Sequence, residues 1–179
     1  MNGEIINNHK PQLLIDHSKF NAITTFIFDV DGVFTDGSLL VTEQGEFLRI
    51  MNTRDGQGIK FALDAGYKVF VITKGASTGV KKRFQLLGLT EIFDMVQDKE
   101  IALSEIKDRY QIGQDEILFM GDDIPDLLIF PFVGISACPV DAANDVLSKA
   151  DYISPLAGGK GCVREIVEKV MRIQDKWVV

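Results

Sequence analysis

Cysteine, histidine and tryptophan are all scarce in this chain of 179 residues, with two, two and one respectively. Cys138 and Cys162 lie far apart in apolar or glycine-rich surroundings, which argues against a disulfide framework or a thiolate metal centre and for two reduced, buried thiols. His9 and His17 fall near the amino terminus without the partner cluster that a metal needs. Basic charge is also short: 19 Lys and Arg against 26 Asp and Glu give a net charge of −7 and an isoelectric point near 4.8. That balance speaks against a nucleic-acid binder or an anionic-membrane binder, both of which need a basic face, while a local cation can still hold an anionic substrate. Long apolar runs are missing too. Leu13-Leu14-Ile15 is the longest before Phe26 and Asp16 stops it, whereas a spanning helix needs roughly 18 apolar residues. A soluble, cytoplasmic protein is the expectation.

What remains is an ordinary globular composition, 46% hydrophobic and 25% charged, in a length that suits one domain. Residues 1–22 read as a polar leader ending in a short helical turn, and 23–179 as a single domain. Short β-rich runs, Thr24–Phe28, Lys68–Ile72, Ile92–Val96, Glu116–Met120 and Val133–Ser136, alternate with helical stretches near 56–65, 77–87, 99–110, 124–130 and 141–148. Strand and helix in alternation imply an α/β fold, a doubly wound parallel sheet with helices on both faces. One insertion breaks the pattern: Ser38–Val41 and Phe47–Ile50 flank a turn in which Gly45 takes a positive φ, giving a β-hairpin. Two strands alone are marginal in water, so the hairpin is expected to pack on something. Apolar positions between Val163 and Trp177 mark an amphipathic helix after a glycine-rich loop.

The first run ends in Asp29-Val30-Asp31-Gly32-Val33-Phe34-Thr35-Asp36, and a later one in Gly121-Asp122-Asp123-Ile124-Pro125-Asp126. Open α/β sheets bind ligands at the carboxyl ends of strands, where strand order reverses. Carboxylates converging there repel unless a hard cation joins them, and oxygen ligands suit Mg²⁺. Asp123 and Asp126 also suit the start of a helix, for Asp126 in addition to any role in the site. Thr73 ends the run from Lys68 and points its hydroxyl at the same crevice. Lys99 opens the next helix, either as a solvated charge or as a partner for phosphate or for a nucleophilic carboxylate.

Taken in order, Asp-x-Asp-Gly-x-x-Thr, Thr73, Lys99 and Gly-Asp-Asp-x-x-Asp resemble the haloacid dehalogenase superfamily of phosphotransferases. A closer likeness rests on Asp29–Gly37, Gly45-Glu46, Asn52-Thr53-Arg54-Asp55-Gly56, Arg83 and Gly158–Glu165. Over residues 24–172 these resemble the 3-deoxy-D-manno-octulosonate 8-phosphate phosphatase family, which lacks a large cap domain. The resemblance implies a haloacid dehalogenase-like, Rossmann-like fold with the hairpin as its insertion, and a place in lipopolysaccharide biosynthesis. It also implies Asp29 as nucleophile and Asp31 as acid and base. Mg²⁺ would be held by Asp29, the Asp31 carbonyl and Asp122 with Asp123 in support, and phosphate by Thr73 and Lys99. Asn52, Thr53, Arg54, Asp55, Gly56, Lys60, Arg83 and Arg164 are implied near the sugar, although Arg54 and Lys60 equally suit solvated surface charge. One departure stands out. Many relatives read Thr-Gly-Arg where this chain has Thr73-Lys74-Gly75, so Lys74 becomes a candidate for the missing charge.

The expected substrate is a phosphorylated 2-keto-3-deoxy sugar acid, the octulosonate first and the nine-carbon nononate or sialate 9-phosphate as its homologue. A non-catalytic sugar-phosphate sensor working beside a cytidylyltransferase needs no nucleophile, so the Asp29 and Asp31 pair speaks against it. A nucleotidase is disfavoured because no aromatic cluster near the motifs offers a base-stacking site. The hairpin, with Leu39, Val41, Phe47 and Leu48, is too apolar to stand free, and the loop Ala157–Gly161 brings Lys160 and Arg164 to an anionic ligand. The family resemblance implies that the assembly is a homotetramer whose neighbouring chains close each site.

Overall fold

The computed structural model describes residues 17–89 and 91–177; the first sixteen residues of the expected leader lie outside them. The short turn is present as α1 (His17–Ala22), and it docks on the last helix, with Phe20 buried. Six strands form one sheet: β1 (Thr25–Phe28), β4 (Lys68–Ile72), β5 (Ile92–Phe93), β6 (Ile117–Met120), β7 (Ile135–Cys138) and β8 (Tyr152–Ile153). Every pairing is parallel and the order is β5-β4-β1-β6-β7-β8, so the winding reverses between β1 and β6. This is the doubly wound arrangement that the alternation implied.

The strands are apolar throughout because both faces are covered. Phe26 and Phe28 of β1, Val69 and Val71 of β4, and Leu118 and Met120 of β6 pack on one side. There they meet α2 (Thr53–Asp64), α3 (Thr78–Leu87) and α6 (Cys162–Ile173). The alternate residues, Ile27, Phe70, Ile72, Ile117 and Phe119, meet Leu103 and Ile106 of α4 (Lys99–Tyr110) on the other side. Period-two alternation in the strands thus divides the core into two layers. In α6, six residues from Cys162 to Met171 are buried and Arg164, Lys169 and Arg172 lie outward, the stripe that helical periodicity required. No helix among the described residues is long and apolar enough to cross a membrane.

The hairpin forms as β2 (Leu40–Val41) and β3 (Phe47–Leu48), with Gly45 at φ +80°. Its apolar side chains do not pack on the domain: Leu40, Val41 and Phe47 are 65%, 58% and 56% exposed.

Several boundaries differ from the sequence expectation. The helix expected at 124–130 is two 3₁₀ turns, Ile124–Leu128 and Phe130–Phe132. Pro125 is at home in a first turn, but Pro131 has no amide with which to continue that helix and disfavours a helical Phe130 before it. The run from Ile92 keeps only two strand residues, since Met95 turns to φ +57°. The run from Val133 starts its strand at Ile135, and the last helix stops at Ile173, before Asp175 at φ +54°. Strand β8 was not foreseen, and α5 (Asn144–Leu147) is a single turn.

Candidate active site

Strand β1 delivers Asp29 directly beyond its last paired residue, and the Asp29 amide still donates to Met120 of β6 at 3.0 Å. The chain then coils tightly: the amides of Val33, Phe34 and Thr35 all donate to the Val30 carbonyl. Thr35 is buried, and its hydroxyl accepts from the amides of Gly32 and Gly37, both at 3.2 Å, so this hydroxyl pins the acidic loop. Gly32 is at φ +78°, and a Cβ there would fall 1.9 Å from Asp122 Oδ2. The two acidic loops pack in direct contact, and no larger residue fits between them.

At the end of β6, Asp126 organises the second loop. Its Oδ2 accepts from the amides of Asp122 and Asp123 at 3.0 and 3.2 Å, while its Oδ1 accepts from Lys99 Nζ at 2.6 Å. Asp123 Oδ1 caps the following turn through the Ile124 amide. Lys99 is the first residue of α4, whose start is capped by Asp98, and its Nζ lies 3.0 Å from Asp29 Oδ2. The Lys99 side chain is 3% exposed, so it is no solvated charge.

Carboxylate oxygens of Asp29, Asp122 and Asp126 all lie within 4.8 Å of one another. Burial, then the Asp126 charge, pushes Asp29 up to about 6 against the pull of Lys99. Burial, then Asp126, Asp29 and Asp123, pushes Asp122 up to about 7. Burial alone would drain the Lys99 charge, but Asp126 and Asp29 outweigh it and hold its pKa above the ordinary value. Like charges near 4 Å apart repel by about 4 kcal/mol at an effective dielectric of about 20. One ammonium among three carboxylates leaves negative charge uncompensated, and a small oxygen-seeking dication fits that deficit.

The same cleft is lined by Asp31, Thr73, Lys74, Gly75 and Asp123. Asp29, Asp31, Thr73, Lys74, Lys99, Asp122 and Asp123 are therefore brought together, as the sequence implied. Thr73 is buried and its Oγ1 accepts from the Gly75 amide at 3.1 Å, while Lys74 is exposed. The remaining predicted residues gather elsewhere, at the corner between α2 and α6. Asn52 caps α2 and its Nδ2 donates to the Gly159 carbonyl at 3.3 Å. Asp55 is fully buried: its Oδ1 accepts from the Arg164 amide at 2.8 Å, its Oδ2 has no partner, and burial pushes it up to about 6. Arg83 lies across Gly56, where a Cβ would come 2.5 Å from its Nη2. The Arg164 guanidinium stacks 4.4 Å from the Trp177 ring and 5.1 Å from that of Phe61, and its Nε pairs with Glu168. Thr53 and Arg54 are exposed, Lys60 faces Asp64 on the surface of α2, and Lys160 pairs with Asp36.

Two participants escaped the sequence reading. Arg49, just beyond the hairpin, forks onto Asp31 through Nε at 2.6 Å and Nη2 at 2.9 Å. The grip of Asp126 on Lys99 also went unseen, although Asp126 itself was marked.

A family model for haloacid dehalogenase-like hydrolases matches residues 84–166. The 3-deoxy-D-manno-octulosonate 8-phosphate phosphatase of Escherichia coli is 35% identical over 159 residues, covering 89% of this chain and 85% of the relative. Among solved structures, the Yersinia pestis enzyme of that name superposes with a TM-score of 0.87 at 33% identity, over 89% of this chain and 86% of the other. The Moraxella catarrhalis enzyme, crystallised with magnesium, phosphate and 3-deoxy-D-manno-octulosonate, gives 0.86 at 28% identity, over 89% and 91%. With the acidic loops meeting where such a fold binds its ligand, and with likeness across nearly its whole length, the chain belongs to the 3-deoxy-D-manno-octulosonate 8-phosphate phosphatase family of haloacid dehalogenase-like hydrolases.

Proposed function

We propose that the chain is a Mg²⁺-dependent phosphomonoester hydrolase that converts 3-deoxy-D-manno-octulosonate 8-phosphate into the free sugar acid and phosphate. The observation that carries this reading is the buried Asp29–Lys99–Asp126 group set against Asp122 at the reversal point of the sheet. The magnesium and sugar-acid complex of the Moraxella relative supports the choice of ion and substrate.

Asp29 is the nucleophile. Its free oxygen attacks phosphorus, an aspartyl-phosphate forms, and the bond from phosphorus to the sugar oxygen breaks. Asp31 gives its proton to that departing oxygen, then takes one from the water that attacks the aspartyl-phosphate, releasing phosphate and restoring Asp29. Lys99 holds the Asp29 carboxylate in line and meets a phosphate oxygen, and Thr73 meets another. Asp29, the Asp31 carbonyl and Asp122 would hold Mg²⁺, with Asp123 and the amide-gripping Asp126 fixing their loop. When bound, the ion supplies the charge that lets a phosphate dianion approach a carboxylate.

Asn52, Thr53, Arg54, Asp55, Gly56, Lys60, Lys74, Arg83 and Arg164 serve the sugar end in this reading. Most of them stand away from the chain's own cleft, which suits a site completed between copies. The exposed apolar hairpin supports a homotetramer, and two buried free thiols suit the cytoplasm. Phosphate release from the octulosonate 8-phosphate, its nine-carbon homologue and simple phosphomonoesters, with and without EDTA, tests the reaction. Turnover of the octulosonate ester that EDTA abolishes is expected. No turnover of any ester with Mg²⁺ would leave a sugar-phosphate sensor as the better account. Light scattering should give about four times the 19.9 kDa chain mass.

A further inference from the structure

Arg49 is a charged side chain that the reaction scheme above leaves without a task. Its side chain is only 8% accessible. Its guanidinium makes three directed contacts. Nε and Nη2 take the two oxygens of Asp31 at 2.6 and 2.9 Å, and Nη1 donates back to the Phe47 carbonyl of its own hairpin strand at 3.2 Å. A two-pronged contact fixes the plane of a carboxyl group as well as its position, which a single lysine contact does not. The third contact ties that plane to β3. The guanidinium has room there because residue 75 is glycine: a Cβ at 75 would lie 3.2 Å from Arg49 Nη2, 3.5 Å from Thr73 Oγ1 and 3.6 Å from Asp31 Oδ2. A long side chain at 75 and the Arg49 guanidinium would compete for one space.

We propose that Arg49 is the positioning residue for Asp31: the hairpin supplies from one side the guanidinium that orients the proton-transferring carboxyl group, and Gly75 keeps that space open. The proposal rests on the role given to Asp31 above. Two donors on two oxygens let one contact persist while the other oxygen carries the proton to the departing sugar oxygen. The partners of the Arg49 guanidinium are Asp31 and the Phe47 carbonyl rather than the nucleophile, so its effect should be read in the steps in which Asp31 moves a proton. Expulsion of a sugar alkoxide needs that proton, whereas 4-nitrophenolate is stable enough to leave without it.

The test compares kcat/KM, which reports formation of the aspartyl-phosphate, for the octulosonate 8-phosphate and for 4-nitrophenyl phosphate in the Mg²⁺-loaded protein. Arg49→Ala should lose about 100-fold on the sugar ester, within the range that a placed general acid supplies, and less than about fivefold on the aryl ester. Arg49→Lys should fall between, because an ammonium cannot fork. Thermal unfolding of each variant identifies any that is misfolded, and the lysine variant carries the test if the alanine variant is. Equal losses on both esters, or an Arg49→Lys variant with the parent's kcat/KM on the sugar ester, would overturn the proposal. A protein that hydrolyses neither ester before any substitution would instead overturn the phosphatase reading.

Discussion

The cleft at the ends of β1 and β6 and the corner between α2 and α6 both hold buried acidic groups, yet they are built on opposite principles. In the cleft, Asp29, Asp122 and Asp126 face one another and share Lys99, so charge is concentrated beyond what the chain neutralises. In the corner, Asp55 stands alone against the first turn of α6, and the nearby arginines are spent on rings and on Glu168. The contrast separates a site held ready for an added cation from a single carboxyl packed against the start of a helix. Several carboxylates crowded round one ammonium call for a cation; a lone buried carboxyl with one oxygen unpaired is held neutral at low pH and costs stability once it ionises.

Substitutions that act on one region and spare the other sharpen the contrast. The largest effect is expected in the cleft. Asp29→Asn should reduce kcat by more than about 1,000-fold, because the amide cannot attack phosphorus, while the melting temperature holds or rises as buried repulsion is relieved. Retained turnover would remove Asp29 from the covalent role. Lys99→Ala follows: with its ammonium gone the carboxylates are unscreened, and stability should fall by about 3 kcal/mol, as for a broken buried pair. Added Mg²⁺ should restore part of that loss in a melting curve, whereas an unchanged curve would mean the ion does not sit among these carboxylates.

The corner should answer to pH. The Asp55 carboxyl is raised from 3.8 to about 6 in the folded chain. Between those values the unfolded chain has released the proton and the folded chain keeps it, so stability falls as pH rises, reaching a loss of about 3 kcal/mol above pH 6. Asp29 and Asp122, raised to about 6 and about 7, add slopes of the same sign. Asp55→Asn should therefore make the fall shallower by its own share and leave the rest; a variant with the same pH dependence as the parent would show that Asp55 contributes nothing to it. The smallest effect is assigned to Arg54→Ala, with KM for the sugar-acid phosphate raised about fivefold and that for 4-nitrophenyl phosphate unmoved, as for loss of one charged contact at a rim. Equal changes on both esters would detach Arg54 from the sugar.

The sequence exposed the cleft more fully than the corner, for physical reasons. Asp29 and Asp122 each follow an apolar run, and parallel strands put such run ends side by side, so a one-dimensional pattern maps onto a place. Thr73 and Lys99 obey the same logic. Arg49 does not: it follows a hairpin whose direction no periodicity fixes, and its partner Asp31 sits eighteen positions away. Asp126 looked like a helix-starting residue and is one, but its hold on Lys99 depends on two separate loops meeting. The turns at 124–132 have the apolar content of a helix that Pro131 cannot continue, and β8 has only two residues between Asp151 and Ser154, too few for alternation to show. The corner residues were named by likeness to a family, and nothing in their spacing foretold that Arg164 would lie on Trp177.

Gly158 makes a last connection. A Cβ on it would stand 2.0 Å from the Gly32 carbonyl oxygen, and the neighbouring Gly159 amide donates to Val33 at 2.8 Å. Main chain therefore rests on main chain, with no side chain between to yield. The loop that carries the nucleophile is propped by the segment leading into the final helix, as a shim sets the seat of a bearing. Even one added methyl group at that contact would lift the seat, so the tolerance of the reaction centre is set more than a hundred residues downstream of Asp29.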